Sequence, residues 1–479
     1  MAATPPPKRP WWRNPHTLLA AASVSLGVLA VIAAIAYQVL KRPGDIHRGN
    51  EVTFTPKEPK PEKKVHRVRW PRFGYDLART RFLAVKGIKP PFKRLWKYNE
   101  GPLLEFPPVY AGGTLYAVNN DGLAFALDAN TGKVKWQRKI AALNASSPTY
   151  DRGSLYVVNL VPGQILKLSA KNGHTIWRHT LPGRAESSPL VVGNNVYFGD
   201  EDGELYDVNA KNGGVKWTAT LAGAVKAAPA YDHGILFVGD YGGEMSAVNS
   251  HTGKIKWQAG SQGLSFSRTG QFYSTPAVAF GRVYVGNNDG RVYSFDEQNG
   301  TLAWSHSTGS YVYSGPTVAN TPQTPPSVYV GSYDGNVYAL DAKTGTTRWS
   351  QPIGPVIGSL SAIGNIVYVA TFSGTTTYGF SMRNGHQVWK YDTGAYMPVI
   401  SDGQRIFLTG YSSITALKPY TKGAGKHGRV HRAQQQKKKQ QKQAQADKQK
   451  HRSAPAKKGA NKQGNKQAKG APANAQQHP

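Results

Sequence analysis

The sequence predicts an all-β fold: an eight-bladed β-propeller closed by an N-terminal strand, preceded by one transmembrane helix and followed by a disordered basic tail. Three observations carry that prediction. A tryptophan-ended motif recurs at intervals of 40 to 47 residues, glycine-containing turns separate short β-branched and aromatic runs, and an uncharged 24-residue stretch, 17–40, lies near the N terminus. Periods of this length are the signature of propeller architectures.

The motif begins with Asp, Asn or Ser, has Gly four positions later and Trp four beyond that. Its copies run from Asp128 to Trp136, Ser169 to Trp177, Asn209 to Trp217, Asn249 to Trp257, Asp296 to Trp304, Asp341 to Trp349 and Ser381 to Trp389. Trp96 stands 40 residues before Trp136 and adds an eighth tryptophan. Within a unit such as 283–304, the Asp289-Gly290 and Asn299-Gly300 pairs supply the positive φ angles that hairpin turns require. A small-small-Pro pattern opens successive units, as at Ser188-Pro189, Ala228-Pro229 and Thr275-Pro276. Proline fits the start of an innermost strand, where the missing N–H breaks no ladder. One large aromatic per unit, always in the same place, is what packing blade against blade requires, so the eight tryptophans are structural. The last unit stops before any tryptophan strand, and the strand around Trp96 has no unit before it. Joining the two completes an eighth blade and leaves no open sheet edge.

Charge divides the chain. The net +32 is concentrated in the appendages: residues 98–420 carry 23 basic and 21 acidic side chains, whereas 421–479 carry 16 basic groups and one acid. The expected organisation is a basic stub over 1–16, a membrane helix over 17–40, a Pro/Lys-rich extended spacer over 41–91, the propeller over 92–420 and a disordered Lys/Gln-rich tail over 421–479. As a helix, 17–40 would be about 36 Å long, enough to cross a hydrocarbon core. Membrane contact is therefore expected through 17–40. Anionic lipid or envelope polymer is expected at the tail, which lacks the aromatic residues that nucleic-acid stacking uses.

The stretch Tyr329 to Trp349, YVGSYDGNVYALDAKTGTTRW, resembles the pyrroloquinoline quinone (PQQ) repeat, and 70–82, WPRFGYDLARTRF, is similar to the lead-in that precedes such propellers. The resemblance implies the superfamily of the eight-bladed quinoprotein alcohol dehydrogenases and the non-enzymatic BamB-type outer-membrane assembly lipoproteins. It also supports a single-pass plasma-membrane location with the propeller outside. The enzymes hold PQQ with calcium over the funnel, and many close it with a vicinal disulfide. This chain has no cysteine, and the loops entering the innermost strands contribute mainly Glu105 and Glu186 as carboxylates. That is too few for a calcium ligand set plus a catalytic base. No cofactor and no catalytic residue is expected, and PQQ with calcium is the alternative. Phosphate loops, zinc-spaced histidines and nucleophile elbows are absent from the sequence.

A non-catalytic propeller that binds protein or envelope is the leading expectation, with a protein partner at the funnel face, and the alternative is a PQQ-dependent quinoprotein dehydrogenase or a propeller that senses a small ligand. The entering loops vary most between repeats and gather the aromatic and basic side chains typical of binding hot spots. They give the candidate rim Glu105, Phe106, Arg184, Glu186, Lys226, Phe266, Arg268, Tyr273, Tyr311, Tyr313 and Tyr396. The insertion Gly260 to Tyr273 produces the 47-residue spacing.

Overall fold

The structure, a computed structural model, describes residues 43–60, 68–263 and 269–420, apart from the single positions 357, 373 and 396. The expected membrane helix, the basic tail, and rim residues Phe266, Arg268 and Tyr396 lie outside the described residues. Among the described residues, no helix is long and apolar enough to cross a membrane.

Eight antiparallel sheets follow one another along the chain. Blades 1 to 7 span 109–139, 149–180, 190–220, 230–260, 277–307, 317–352 and 361–391, each with its first strand innermost and its fourth outermost. Blade 8 takes its three inner strands from 400–419 and its outermost strand from Phe92–Asn99, which pairs antiparallel with Ser413–Pro419. The two ends of the propeller thus close on each other as the repeat count requires.

The motif owes its spacing to the joint between blades. In seven of the eight cases the indole Nε1 donates to a backbone carbonyl of the next blade at 3.0–3.2 Å, for example Trp136 to Ala170 and Trp304 to Ala342. The ring lies against the motif glycine of that blade. A Cβ on Gly173 would come within 2.6 Å of the Trp136 ring, and its φ of +73° is left-handed. The glycine therefore both makes the turn and leaves room for the indole. Each outermost strand bulges at the residue before its tryptophan, which turns the ring inward against the neighbouring sheet. The residue directly across from the tryptophan is small in most blades: Ala126, Ala247, Ser294, Ala339, Gly379 and Ala416.

The described parts of the segment expected to be an extended spacer, 43–60 and 68–91, are packed onto the propeller. Residues 46–48 run antiparallel along the outer edge of blade 5, with Arg48 N donating to Ala303 O at 2.7 Å and an isolated bridge from His47 to Trp304. The chain then crosses the face carrying the first-to-second strand turns, where Phe54 meets Phe280 at 5.6 Å and Asn320 Nδ2 donates to Lys57 O at 2.6 Å. Residues 70–85 circle the axis on that face. Their carbonyls accept from innermost-strand amides of blades 1, 2, 4, 5, 6 and 7 in turn, from Trp70 at Tyr110 to Leu83 at Gly364. Phe82–Leu83 adds a fifth, parallel strand to blade 7. The prolines and lysines that suggested a spacer are concentrated over 56–64 and 86–91, on either side of a stretch whose Trp70, Phe82, Leu83 and Val85 are buried, as is Ile88. Burying these apolar side chains outweighs the extended preference of the segment.

Two arginines of this lead-in enter the axis fully buried. Arg79 donates to Pro229 O at 3.0 Å, to Ser188 O at 3.2 Å, and also to Pro189 O and Phe73 O. Arg81 reaches Arg79 O, Pro316 O at 2.9 Å and Thr275 O at 3.4 Å. The prolines that open the inner strands bring carbonyls without matching N–H groups to the axis, and the guanidinium forks satisfy that surplus. Burial pulls the pKa of Arg81 down to about 9, and the surrounding carbonyl dipoles hold its charge.

Candidate functional site

With one face covered by the lead-in, the other stays open. It is built from the loops that enter the innermost strands and the turns joining second to third strands. At its centre is a cavity of about 590 Å³ floored by Phe73, which packs edge-on against Phe106 at 5.9 Å. Of the residues expected at the rim, Glu105, Phe106, Lys226, Tyr273, Tyr311 and Tyr313 line it.

The tyrosines form a continuous arc. Tyr241 to Tyr273 is 6.1 Å between ring centroids, Tyr273 to Tyr313 is 5.5 Å at 85°, and Tyr313 to Tyr311 is 5.6 Å. Tyr333 follows at 6.5 Å from Tyr311, and Phe372 at 6.5 Å from Tyr333. Edge-to-face and tilted arrangements at these separations are the favoured aromatic geometries. Burial, first, and then the nearby Glu186 carboxylate push the Tyr241 and Tyr273 phenols well up, and burial does the same for Tyr313. Their hydroxyls stay protonated and present O–H donors at physiological pH.

Charge on this face is gathered at Lys226. Its ammonium lies 3.1 Å from Glu186, 2.8 Å from Glu201 and 5.6 Å above the Tyr241 ring. Arg184 stands behind Glu201 at 3.6 Å, so Arg184 and Glu186 support the lysine from outside the cavity lining. The shifts of the two partners are not mirror images. Burial raises Glu186 by more than Lys226 lowers it. Burial also works against the lysine's charge, but contacts with two carboxylates outweigh it and raise its pKa. Glu105 accepts from Asn120 Nδ2 at 2.8 Å, and burial raises its pKa.

Among the lining residues not anticipated, the three aromatics on turns, Tyr241, Tyr333 and Phe372, share one repeat position with Glu201, the second residue after the strand-ending turn begins. Those turns look like structural hairpins in every repeat. The available signal was that this position is aromatic in four repeats, at Tyr241, Tyr333, Phe372 and Tyr411, against Asn120, Leu160, Glu201 and Asn288 in the others. On the covered face, Asp232, His233 and Glu297 place ligand-type atoms within 4.8 Å of one another. Burial, first, and then Asp232 push the Glu297 carboxyl up to about 7.

Eight blades locked by tryptophan and opening on one side into an aromatic funnel define a PQQ-repeat propeller. The chain belongs to the family described as outer membrane protein assembly factor BamB, whose family model matches residues 85–228 and 217–424. Among curated relatives, it is 30% identical over 96 residues to the tetrathionate hydrolase of Acidithiobacillus ferrooxidans, covering 20% of this chain and 19% of that protein. It is 33% identical over 94 residues to the outer membrane protein assembly factor BamB of Pseudomonas aeruginosa, covering 19% and 24%. These alignments thus span a fifth to a quarter of the relatives' own lengths. A longer match, 29% over 322 residues, covers 65% of this chain and 63% of the BamB of Yersinia pestis. Solved structures with the same fold include BamB from Moraxella catarrhalis, with a TM-score of 0.57 and 17% identity over 68% of this chain and all of that one. The quinohemoprotein alcohol dehydrogenase ADHIIG from Pseudomonas putida scores 0.63 at 13% identity over 73% and 80%. At such identities these structures establish the fold alone.

Proposed function

We propose that this protein is a membrane-anchored, non-catalytic scaffold that binds a protein partner of the cell envelope through its tyrosine funnel, with residues 17–40 as the anchor and the propeller outside the plasma membrane. The observation that carries the reading is the arc from Tyr241 to Phe372 beside the charge-paired Lys226, on the one face the lead-in leaves open. Rigid aromatic anchors flanked by desolvated polar groups are how protein interfaces concentrate their energy. The relatives named as assembly factors support the same direction. The tail, at +15, adds attraction to anionic lipid or envelope polymer.

PQQ with calcium does not suit this funnel. A calcium ion needs six to eight oxygen ligands, whereas Glu186 is committed to an ammonium and Glu105 to an amide. Lys226 would stand among the ligands as a like charge, and the axis beneath is filled by Phe73 and Arg81.

Two measurements test the proposal on the full chain. Titration with PQQ and calcium is expected to leave the melting temperature unchanged. Binding to the folded state alone at 100 times Kd would add about 2.7 kcal/mol, so a saturable rise would restore the quinoprotein reading. A photo-crosslinking residue at Leu103, beside the funnel, is expected to trap a discrete envelope protein in cells, and Tyr273→Ala with Tyr313→Ala to abolish the adduct. An adduct unaffected by both substitutions would remove the funnel as the binding site.

A further inference from the structure

The strap that packs along blade 5 also determines how far the propeller can stand from a membrane. The first described residues are fastened on the funnel side of that blade. Gln262 Nε2 donates to Gly44 O at 3.0 Å, and Arg291 bonds to Pro43 O and lies 3.7 Å from the Asp45 carboxylate. Ser307 N donates to Asp45 Oδ2 at 3.0 Å, and Ile46 N to Ser305 Oγ at 2.9 Å. Arg291 opens the third strand and Ser307 ends the fourth, so both belong to the funnel-side edge. The uncharged run ends at Leu40, and the three Cα–Cα steps from there to Pro43 span at most about 11 Å. The six-residue strands of the blades are about 20 Å tall, so the covered face is out of reach of the bilayer.

The distribution of exposed aromatic side chains gives an independent indication. Leu103, Val161, Tyr311, Tyr333 and Tyr411 are each more than a third exposed, and all sit on funnel-side loops and turns. Among the described residues up to Pro419, the aromatic side chains of that class, Tyr311, Tyr333 and Tyr411, are all on the funnel side, whereas the aliphatic ones on outermost strands, such as Val134, Val215 and Ile255, stand in the half of those strands nearer the opposite face. Aromatic side chains with an apolar body and a polar tip are the ones that settle at the headgroup level of a bilayer.

We infer that the propeller sits directly on the membrane, with its funnel face against the lipid headgroups rather than held away from them. This rests on the reading of residues 17–40 as a membrane anchor. The partner of the funnel is then a segment presented at the bilayer surface, and the lead-in face looks away from it.

The chain has no cysteine, so single cysteines can be labelled without background. Asp121→Cys lies on the funnel side of blade 1, diametrically across from the strap. His251→Cys lies on the opposite face of blade 4. Each is labelled with an environment-sensitive dye in the full chain and reconstituted into vesicles of phosphatidylcholine with one quarter phosphatidylglycerol (roughly physiological surface charge) carrying headgroup spin labels. Flotation of the vesicles is scored in the same samples. The expected result is flotation with quenching at Asp121→Cys at least about twofold that at His251→Cys, given the height of the blades. Flotation with equal quenching, or stronger quenching at His251→Cys, overturns the orientation while leaving the anchor intact. Weak quenching at both positions means an edge-on or lifted propeller and overturns it equally. Failure to float overturns the anchor reading, and this inference falls with it.

Discussion

Asp207 occupies the position across from Trp217 that other blades fill with Ala126, Ala247, Ala339 or Ala416. It is buried, and its Oδ1 has no hydrogen-bond partner. Burial, with only a partial pull from Lys216, raises its carboxyl from the usual aspartate range to about 7. An unfolded aspartate titrates near ~3.9, so ionising this one in the fold costs up to about 4 kcal/mol at 1.36 kcal/mol per pH unit. Lys216 is exposed and solvent reaches the blade edge, so about 2 kcal/mol is the working figure. The sign follows from the direction of the shift. The protonated carboxyl's contribution is fully present below about pH 4 and is lost as the pH rises through about 7. Asp207→Ala places in blade 3 the residue that four other blades already carry. It is expected to raise the melting temperature at pH 8 by ~3 °C for a domain of this size, with the gain shrinking towards zero at pH 4. Thermal unfolding of wild type and variant, followed by circular dichroism from pH 4 to 8.5, makes the measurement. A variant less stable than wild type at pH 8 would mean that the Lys216 attraction exceeds the burial penalty, and the reasoning would fail.

Arg79→Met keeps the length of the side chain but strands the carbonyls of Ser188, Pro189, Pro229 and Phe73 at the axis, and is expected to cost more than ~3 kcal/mol in urea unfolding. Lys60→Ala, which removes only an exposed pair with Asp76 at 3.4 Å, is expected to leave the midpoint unchanged. Equal effects from the two would deny the axial arginine its role. Trp304→Ala removes a fully buried indole and its bond to Ala342, with an expected loss of about 3–5 kcal/mol. Trp304→Phe should recover much of this in the same assay, since most of the loss is packing.

How much of this was legible follows from where the determining chemistry lies. The blades were legible because the motif is local: an acceptor side chain, a left-handed glycine and a tryptophan within nine residues build both the turn and the joint to the next blade. Closure through Phe92–Asn99 was legible by counting units. The packing of 43–60 and 68–91 was not legible because composition averages over a stretch, whereas packing acts on individual side chains. Trp70, Leu83 and Val85 are buried, while Lys57, Lys60, Lys86 and Lys89 on either side of them are exposed. Half of the aromatic arc was missed because Tyr241, Tyr333 and Phe372 sit in turns whose glycines already had a structural explanation. The Lys226 cluster was half legible. Glu186 and Lys226 stand on entering loops, but Glu201, the closer partner at 2.8 Å, comes from a turn.

The axial arginines connect the fold to its function. Placing proline at the entry to seven of the eight inner strands deprives the channel of donors and leaves carbonyls facing one another, which by itself would favour a bound cation. Here the chain supplies its own cations, Arg79 and Arg81, from the lead-in. A guanidinium fixed in that ring closes the channel from below and raises the floor of the funnel to Phe73, whose ring lies 5.4 Å from Arg81. Recognition is thereby confined to a shallow aromatic mouth. The body around it is almost neutral, with 23 basic and 21 acidic side chains over 98–420, so long-range charge does little to select what enters. Selectivity must come from the shape of the tyrosine arc and from the single ammonium beside it, as a surface that contacts a partner directly would require.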